Sequence, residues 1–217
     1  MTIAEAAPRE TSVEAGGYVK GVAIGVVTQN RDPDKLCRVK VRYPWHDQPR
    51  ESYWARLAMP MTGKDRGLVL IPEVGDEVLV AFERGDLRFP CVVGALWNGK
   101  DTPPEANADG NNDKRLFKSR KGHRLLFDDN KSKGVVELAL SDGSSLTRKV
   151  TLDDDGIQLD DGAGNKIAID SKGGAITIEA VKSVTIKAPQ LSLQSSGTAE
   201  LKAGATLTLS GATVSIN

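Results

Sequence analysis

The last third of the chain repeats one short phrase: apolar, polar, apolar, polar, then a few small or charged residues. The phrases are Val150-Thr-Leu152-Asp, Ile157-Gln-Leu159-Asp, Ile167-Ala-Ile169-Asp, Ile176-Thr-Ile178-Glu, Val184-Thr-Ile186-Lys, Leu191-Ser-Leu193-Gln, Ala199-Glu-Leu201-Lys, Leu207-Thr-Leu209-Ser and Val214-Ser-Ile216-Asn. From Ile176 onward they start 8, 7, 8, 8 and 7 residues apart. Alternation over four or five residues describes a strand with one wet face and one buried face. The intervening Ser171-Lys-Gly-Gly174, Ser195-Ser-Gly197 and Ser210-Gly-Ala212 are turn formers. A period this short, with a turn in every repeat, predicts a coiling β structure rather than a set of hairpins.

Composition decides what kind of coil. No Phe, Tyr or Trp follows Phe127, and no Cys or His follows His123, so Ile, Val, Leu and Ala must fill a narrow interior. One chain with two apolar residues per turn cannot enclose a core, and a lone ladder leaves unpaired edges. Three identical chains wound about one axis solve both problems. The expectation is therefore an intertwined homotrimeric, triple-stranded β-helix over residues 116–217. Its core would comprise Ile176, Ile178, Val184, Ile186, Leu191, Leu193 and Leu201. With strands stacked about 4.8 Å apart, some ten repeats make a rod of roughly 50 Å. A single-chain β-solenoid and one face of a sandwich are the alternatives; a solenoid coil normally needs longer repeats to supply three faces.

The preceding chain has a different texture. Residues 1–16 show no periodicity and little to bury, which predicts a flexible N-terminal arm. Residues 17–98 read as an all-β domain. Candidate strands are Val19 to Thr28, Cys37 to Pro44, Tyr53 to Ala58, Gly67 to Ile71, Glu77 to Glu83 and Cys91 to Leu96. In the second, Cys37, Val39, Val41 and Tyr43 share one face and Arg38, Lys40 and Arg42 the other. Short half-buried strands in this number, without a convincing helix, predict a small closed barrel of about 80 residues. The polar, Pro- and Asn-rich stretch 99–115 predicts a linker. Beyond it, Leu116 to Asp129 and Val135 to Leu140 read as strands that open the needle, with Phe117 and Phe127 filling a wider base.

Charge and motif arguments remove most chemistry. The 29 basic and 29 acidic residues cancel, so nothing in the total points to nucleic acid or an anionic membrane. Cys37 and Cys91 are too few for a disulfide framework and are expected as reduced, buried thiols. No apolar run reaches transmembrane length, and the opening lacks the basic start and apolar middle of a secretory signal. Asp153-Asp154-Asp155-Gly156 and Asp160-Asp161-Gly162 do not meet the spacing of an EF-hand loop and read as acidic turns. His46 and His123 lack neighbours at metal-ligand spacing. No nucleophile elbow or phosphate loop is present, so no catalytic residue, cofactor or metal is expected.

One ordered set of motifs carries a resemblance. Arg38-Val-Lys40-Val-Arg42-Tyr-Pro44, Ser52-Tyr-Trp54-Ala-Arg56, Gly67-Leu-Val-Leu-Ile-Pro72-Glu-Val-Gly75-Asp-Glu77-Val-Leu-Val-Ala-Phe82-Glu-Arg-Gly85-Asp86 and Pro90-Cys-Val-Val-Gly94-Ala-Leu-Trp97-Asn98 resemble the phage baseplate assembly protein V and VgrG-type central spike family of contractile injection systems. Lys118-Ser-Arg-Lys-Gly122-His-Arg124-Leu-Leu-Phe127-Asp-Asp129 is similar to the segment where VgrG-type chains enter their needle. The resemblance covers residues from about 18 to the end. It implies an OB-fold barrel followed by a triple-stranded β-helix, a homotrimeric spike of a phage tail, tailocin, type VI or extracellular injection system.

Two departures from the family pattern shape the expected partners. The large hub domain of full VgrG proteins does not precede the barrel, so a separate hub protein is expected, contacted through Arg38, Lys40, Arg42, Trp45 and Trp54 together with inner tube and baseplate subunits. No lysozyme-like insert separates barrel from needle. The final Val214-Ser-Ile-Asn217 lacks the His-x-His apex of some short phage spikes, which predicts a blunt end. A blunt end exposes Leu207, Leu209, Val214, Ser215, Ile216 and Asn217, the expected seat of a PAAR-type tip protein. Assembly is expected in the bacterial cytoplasm, followed by transient contact with a target cell membrane. Two other functions fit parts of the chain. A trimeric receptor-binding fibre would need an aromatic-rich receptor domain. An OB-fold binder of single-stranded nucleic acid would stack bases on Tyr43, Trp45, Tyr53 and Trp54 beside Arg38, Lys40 and Arg42; the balancing acids Asp32, Asp34, Glu51, Glu77, Glu83 and Asp86 weaken it.

Overall fold

A computed structural model describes residues 13–14, 18–46 and 51–216. Sixteen strands run in chain order: β1 Val13–Glu14, β2 Tyr18–Val19, β3 Val22–Gln29, β4 Lys40–Arg42, β5 Arg56–Leu57, β6 Thr62–Gly63, β7 Arg66–Gly67, β8 Glu77–Phe82, β9 Pro90–Leu96, β10 Lys114–Lys118, β11 Arg124–Asp128, β12 Val135–Ser141, β13 Leu146–Asp153, β14 Gly156–Asp160, β15 Lys166–Asp170 and β16 Ala175–Glu179. The chain divides into two units, Met1–Ala108 and Asp109–Asn217.

Alternation builds the first unit. In β8 the side chains of Val78, Val80 and Phe82 are buried while Glu77, Leu79 and Ala81 are partly open. In β3, Ala23 and Val27 point the same way, and Gly25 between them lets Val41 approach; a Cβ there would lie 3.3 Å from that of Val41. The sheet order is β4-β3-β8-β9-β5. Antiparallel bridges Val39↔Ala55 and Arg42↔Glu51 join β4 to the segment leading into β5, so the sheet closes on itself. The pair β5·β9 is parallel and the others are antiparallel. A five-stranded barrel in which the third and fifth strands run parallel is the OB topology, with Val39, Val41, Ala55, Val78 and Val80 fully buried at its centre.

Four expectations for this unit change. Leu68–Ile71 forms no strand: Leu68, Val69 and Leu70 are exposed, and Gly67 only ends the short β6–β7 hairpin. Tyr53–Ala58 shrinks to Arg56–Leu57, and Gly21, at φ +88°, breaks the first strand after Val19. Cys37 sits at φ +56° in the loop before β4, which turns it out of the face shared by Val39, Val41 and Tyr43. Its thiol is exposed and that of Cys91 half-buried, both free. Of the expected flexible arm, only Val13 and Glu14 are described, paired as β1 with β2.

The second unit is a seven-stranded antiparallel meander in strict sequence order, β10 to β16. Leu116 to Asp129, read as one strand, is two, with a turn at Ser119–Gly122 closed by Gly122 N–H to the Ser119 carbonyl at 2.8 Å. The four phrases from Val150 to Glu179 all fall on strands, β13 to β16. They are joined by reversals rather than by the continuous coil expected from their period. Glycines at positive φ explain this, because Gly143, Gly156, Gly162, Gly164 and Gly174 place a left-handed residue in each connection from β12 onward. From Ala180 to Ile216 the described residues form no strand, and all are exposed.

Candidate functional site: an uncovered apolar face

Register places the apolar residues of the meander in two straight rows. Phe127, Val136, Leu152, Ile157, Ile169 and Ile176 lie opposite one another on successive strands and form the first. Phe117, Leu125, Leu138, Val150, Leu159, Ile167 and Ile178 form the second. In each of β11 to β16 the two residues are separated by one position, so both rows occupy the same face, and β10 adds Phe117 to the second. The opposite face is mixed: Leu116, Leu126, Glu137, Thr151, Gln158, Ala168 and Thr177 face one another there.

The burial is inverted relative to a sheet that covers its own core. Along β12, Glu137, Ala139 and Ser141 are buried, whereas Val136, Leu138 and Leu140 are exposed, Leu138 by 60 %. The buried Glu137 carboxylate accepts a hydrogen bond from Arg124 Nε at 2.6 Å, which offsets the cost of its burial. Thirteen large apolar side chains therefore stand in two rows with no covering layer among the described residues. Soluble chains rarely leave so long a contiguous apolar surface uncovered unless another molecule covers it.

A shallow groove runs beside the second row, with Leu138, Val150, Leu159 and Ile167 on its floor and His123, Arg148 and Asn165 at its polar lip. His123 accepts a hydrogen bond at Nδ1 from the Ser141 backbone N–H at 3.0 Å, which fixes the turn between β10 and β11 against β12. The acidic turns act structurally. Asp153 and Asp155 hold Lys133 at 3.1 and 2.8 Å, and Asp155 also holds Lys172 at 2.7 Å, so three successive turns on one edge share an ionic ladder. Those lysines lower the Asp155 carboxyl from 3.8 to about 2. Among the described residues no group of three His, Cys, Asp or Glu is placed to hold a metal, and no helix is long and apolar enough to cross a membrane.

On the barrel, the structure brings Arg38, Lys40 and Trp54 together. The two cations lie 5.9 and 5.4 Å from the indole centre. Both are already paired. Arg38 reaches the carboxylate of Asp32 at 2.8 Å, and Asp32 also accepts the backbone N–H groups of Asp34 and Leu36; Lys40 reaches Glu51 at 3.3 Å. The Arg38 guanidinium holds the Asp32 carboxyl well below the usual carboxylate range. Arg42 is exposed on β4. Trp45 stacks instead on Tyr43 at 5.3 Å and packs on the barrel core, where burial pushes the Tyr43 phenol up to about 12. With the cations paired and one face of Trp54 occupied, little remains of the basic stacking groove that a nucleic-acid strand needs.

The tip residues Leu207, Leu209, Val214 and Ile216 are exposed, as are the core candidates Ile176, Ile178, Val184, Ile186, Leu191, Leu193 and Leu201. Asn217 lies outside the described residues. The list of core candidates missed Leu125, Val136 and Leu138. The same alternation in Arg124–Asp128 and Val135–Ser141 marks them, and only the register shows that they continue the later rows.

Comparison with known proteins gives this arrangement its context. Residues 23–97 match the type VI secretion system/phage-baseplate injector OB domain. The chain thus carries the OB domain of that injector family and is a relative of the VgrG-type baseplate spikes. It is 36 % identical over 92 residues to the type VI secretion system spike protein VgrG1c of Pseudomonas aeruginosa, which covers 41 % of this chain and 13 % of the relative. It is 30 % identical over 120 residues to VgrG2a of the same organism, covering 52 % of this chain and 14 % of that protein. VgrG3 of Vibrio cholerae is 36 % identical over 80 residues, 35 % of this chain and 8 % of its own length. The matched region thus spans well under a fifth of each of these relatives.

Proposed function

We propose that the chain is the structural central spike of a contractile injection machine, a homotrimer that plugs the inner tube and enters the target envelope when the sheath contracts. The observation that carries this reading is the double apolar row. Three meanders standing around one axis with these rows inward would cover the rows, which the described residues of a single chain leave exposed. The OB domain that precedes it in the chain supports the same reading, because the matching family is that of type VI secretion and phage-baseplate injectors.

The chain beyond Glu179 fits an intertwined needle. The connectors Glu179–Ser183 and Lys187–Gln190 contain no Gly or Asn, and Pro189 stands in the second. Tight reversal within one sheet is therefore disfavoured there. The later phrases would step onto neighbouring chains and close the narrow part of the rod. A hub protein would contact the Arg38, Lys40 and Trp54 side of the barrel, with Arg42 and Trp45 nearby in sequence. A PAAR-type tip protein would cover Leu207, Leu209, Val214, Ser215, Ile216 and Asn217. The work is mechanical, so no catalytic residue, metal or cofactor is assigned.

Light scattering coupled to size exclusion tests the reading, with an unheated denaturing gel beside it. A mass three times the 23.2 kDa of one chain, in an elongated particle that resists detergent until heated, supports it. A compact particle of one chain overturns it.

A further inference from the structure

Five of the seven meander strands, β11, β12, β13, β15 and β16, carry opposite charges toward their two ends, whereas β10 begins and ends on lysine. β11 runs from Arg124 to Asp128 and β15 from Lys166 to Asp170, while β13 runs from Leu146 to Asp153 with Arg148 in third place and Asp154 just beyond its end. The strands running the other way do the same: Lys133 precedes β12 and Asp142 follows it, while Lys172 precedes β16 and Glu179 ends it. One lateral edge of the sheet therefore reads acid, base, acid, acid, base from β11 to β16 with β14 left out. The other edge reads base, acid, base, base, acid at the same levels. Only β14 has acids at both ends, Asp155 and Asp160, and these already hold Lys133, Lys172 and Lys166 of their own chain.

We infer that these edges recognise one another in neighbouring copies, and that Arg148 of one copy pairs with Asp154 of the next, setting the axial register of the assembly. The inference rests on the trimer proposed above. Rotation about a common axis keeps every strand at its own height, so the end of β13 in one copy meets the beginning of β13 in the next. At that level the edges are complementary. A slip of one strand would instead set Asp128 against Asp142, Lys133 against Arg148 and Asp170 against Glu179. The pattern thus disfavours the shifted assemblies that two uniform apolar rows would otherwise permit. Arg148 and Asp154 are the informative pair because both are exposed and neither makes an ion pair within its own chain among the described residues. Arg148 does lie near enough to Asp161 to help lower its carboxyl pKa.

A charge swap in the full-length protein tests this. Positions 148 and 154 are six residues apart along extended chain, about 20 Å at 3.3 Å per residue, so they cannot touch within one chain. R148E and D154R each break three pairs and bring like charges together. Each should shorten the lifetime of the trimer in detergent about tenfold, given the modest strength of exposed pairs. The R148E/D154R double variant restores the pairs with reversed polarity and should recover most of that lifetime. If the double variant is no longer-lived than the worse single variant while the parent protein is a trimer, the register code is wrong and the spike reading stands. If the parent protein has the mass of one chain, the spike reading fails first and this inference with it.

Discussion

Replacing Ile178 with Asp should abolish the proposed trimer, and the exposure of that side chain sets the size of the effect. Ile178 stands in the second apolar row and is 57 % exposed in the single chain. Full burial of an isoleucine side chain is worth about 1.5–3 kcal/mol, so covering what remains yields about 1–2 kcal/mol per chain, or roughly 3–5 kcal/mol around the axis. Losing that is the smaller part. Three carboxylates would meet at one level without partners, at several kcal/mol each. The sum reaches about 10 kcal/mol, comparable with the whole stability of an ordinary domain. In an isolated chain the same substitution lies on the surface and should cost under about 1 kcal/mol. Thr177→Asp, one residue away on the opposite face, is the control and should leave the assembly intact. Mass by light scattering and the detergent resistance of the unheated protein give the readout. A trimer of unchanged yield and melting temperature in Ile178→Asp would show that the rows do not face the axis.

Three further expectations follow from particular contacts. The Asp155 carboxyl is lowered from 3.8 to about 2 by Lys133 and Lys172, so its stabilising effect is complete above pH 4 and is lost as pH falls toward 2; Asp155→Asn should flatten that part of a thermal-stability profile. Gly156 adopts φ +149°, and a Cβ there would overlap the Ile169 carbonyl, so Gly156→Ala should lower the meander's stability by roughly 2 kcal/mol or more in a denaturant titration. Val80→Ala opens a cavity in the barrel beside Gly25 and should cost about 2 kcal/mol in barrel unfolding while leaving the proposed trimer's resistance to detergent unchanged.

Much of this fold is written in alternation, and what alternation leaves out is specific. It identifies which side chains share a face, so Val78, Val80 and Phe82 could be assigned to the barrel interior, and Ile167, Ile169, Ile176 and Ile178 to one side of a strand. It does not say whether the chain reverses or advances between strands. That choice was made by Gly156, Gly162 and Gly174, whose positive φ values allow reversal, and a period count does not weigh turn conformation. Alternation misled at Cys37, and apolar character alone misled at Leu68–Ile71. Cys37 continues the pattern of Val39 and Val41 in sequence, but the loop built on Asp32 takes the backbone out of the strand before Val39. Leu68–Ile71 is apolar throughout and carries no period that could assign it a partner. The hub-contact candidates divided for a related reason. Arg38 and Lys40 met Trp54 across the barrel seam, whereas Trp45 follows the Tyr43-Pro44 turn back onto the core.

The antiparallel meander imposes an arithmetic of length. Each strand returns the chain to the opposite edge, so the side from which it leaves β16 depends on whether the number of strands is odd or even. Deleting one strand would send everything downstream out of the wrong side and exchange the two edges at every later level. Removing a hairpin, such as β13 with β14, would shorten the stack by about 10 Å and leave the exit where it was. A chain of this design can grow or shrink only in pairs of strands, which makes the hairpin the unit of measure for reach.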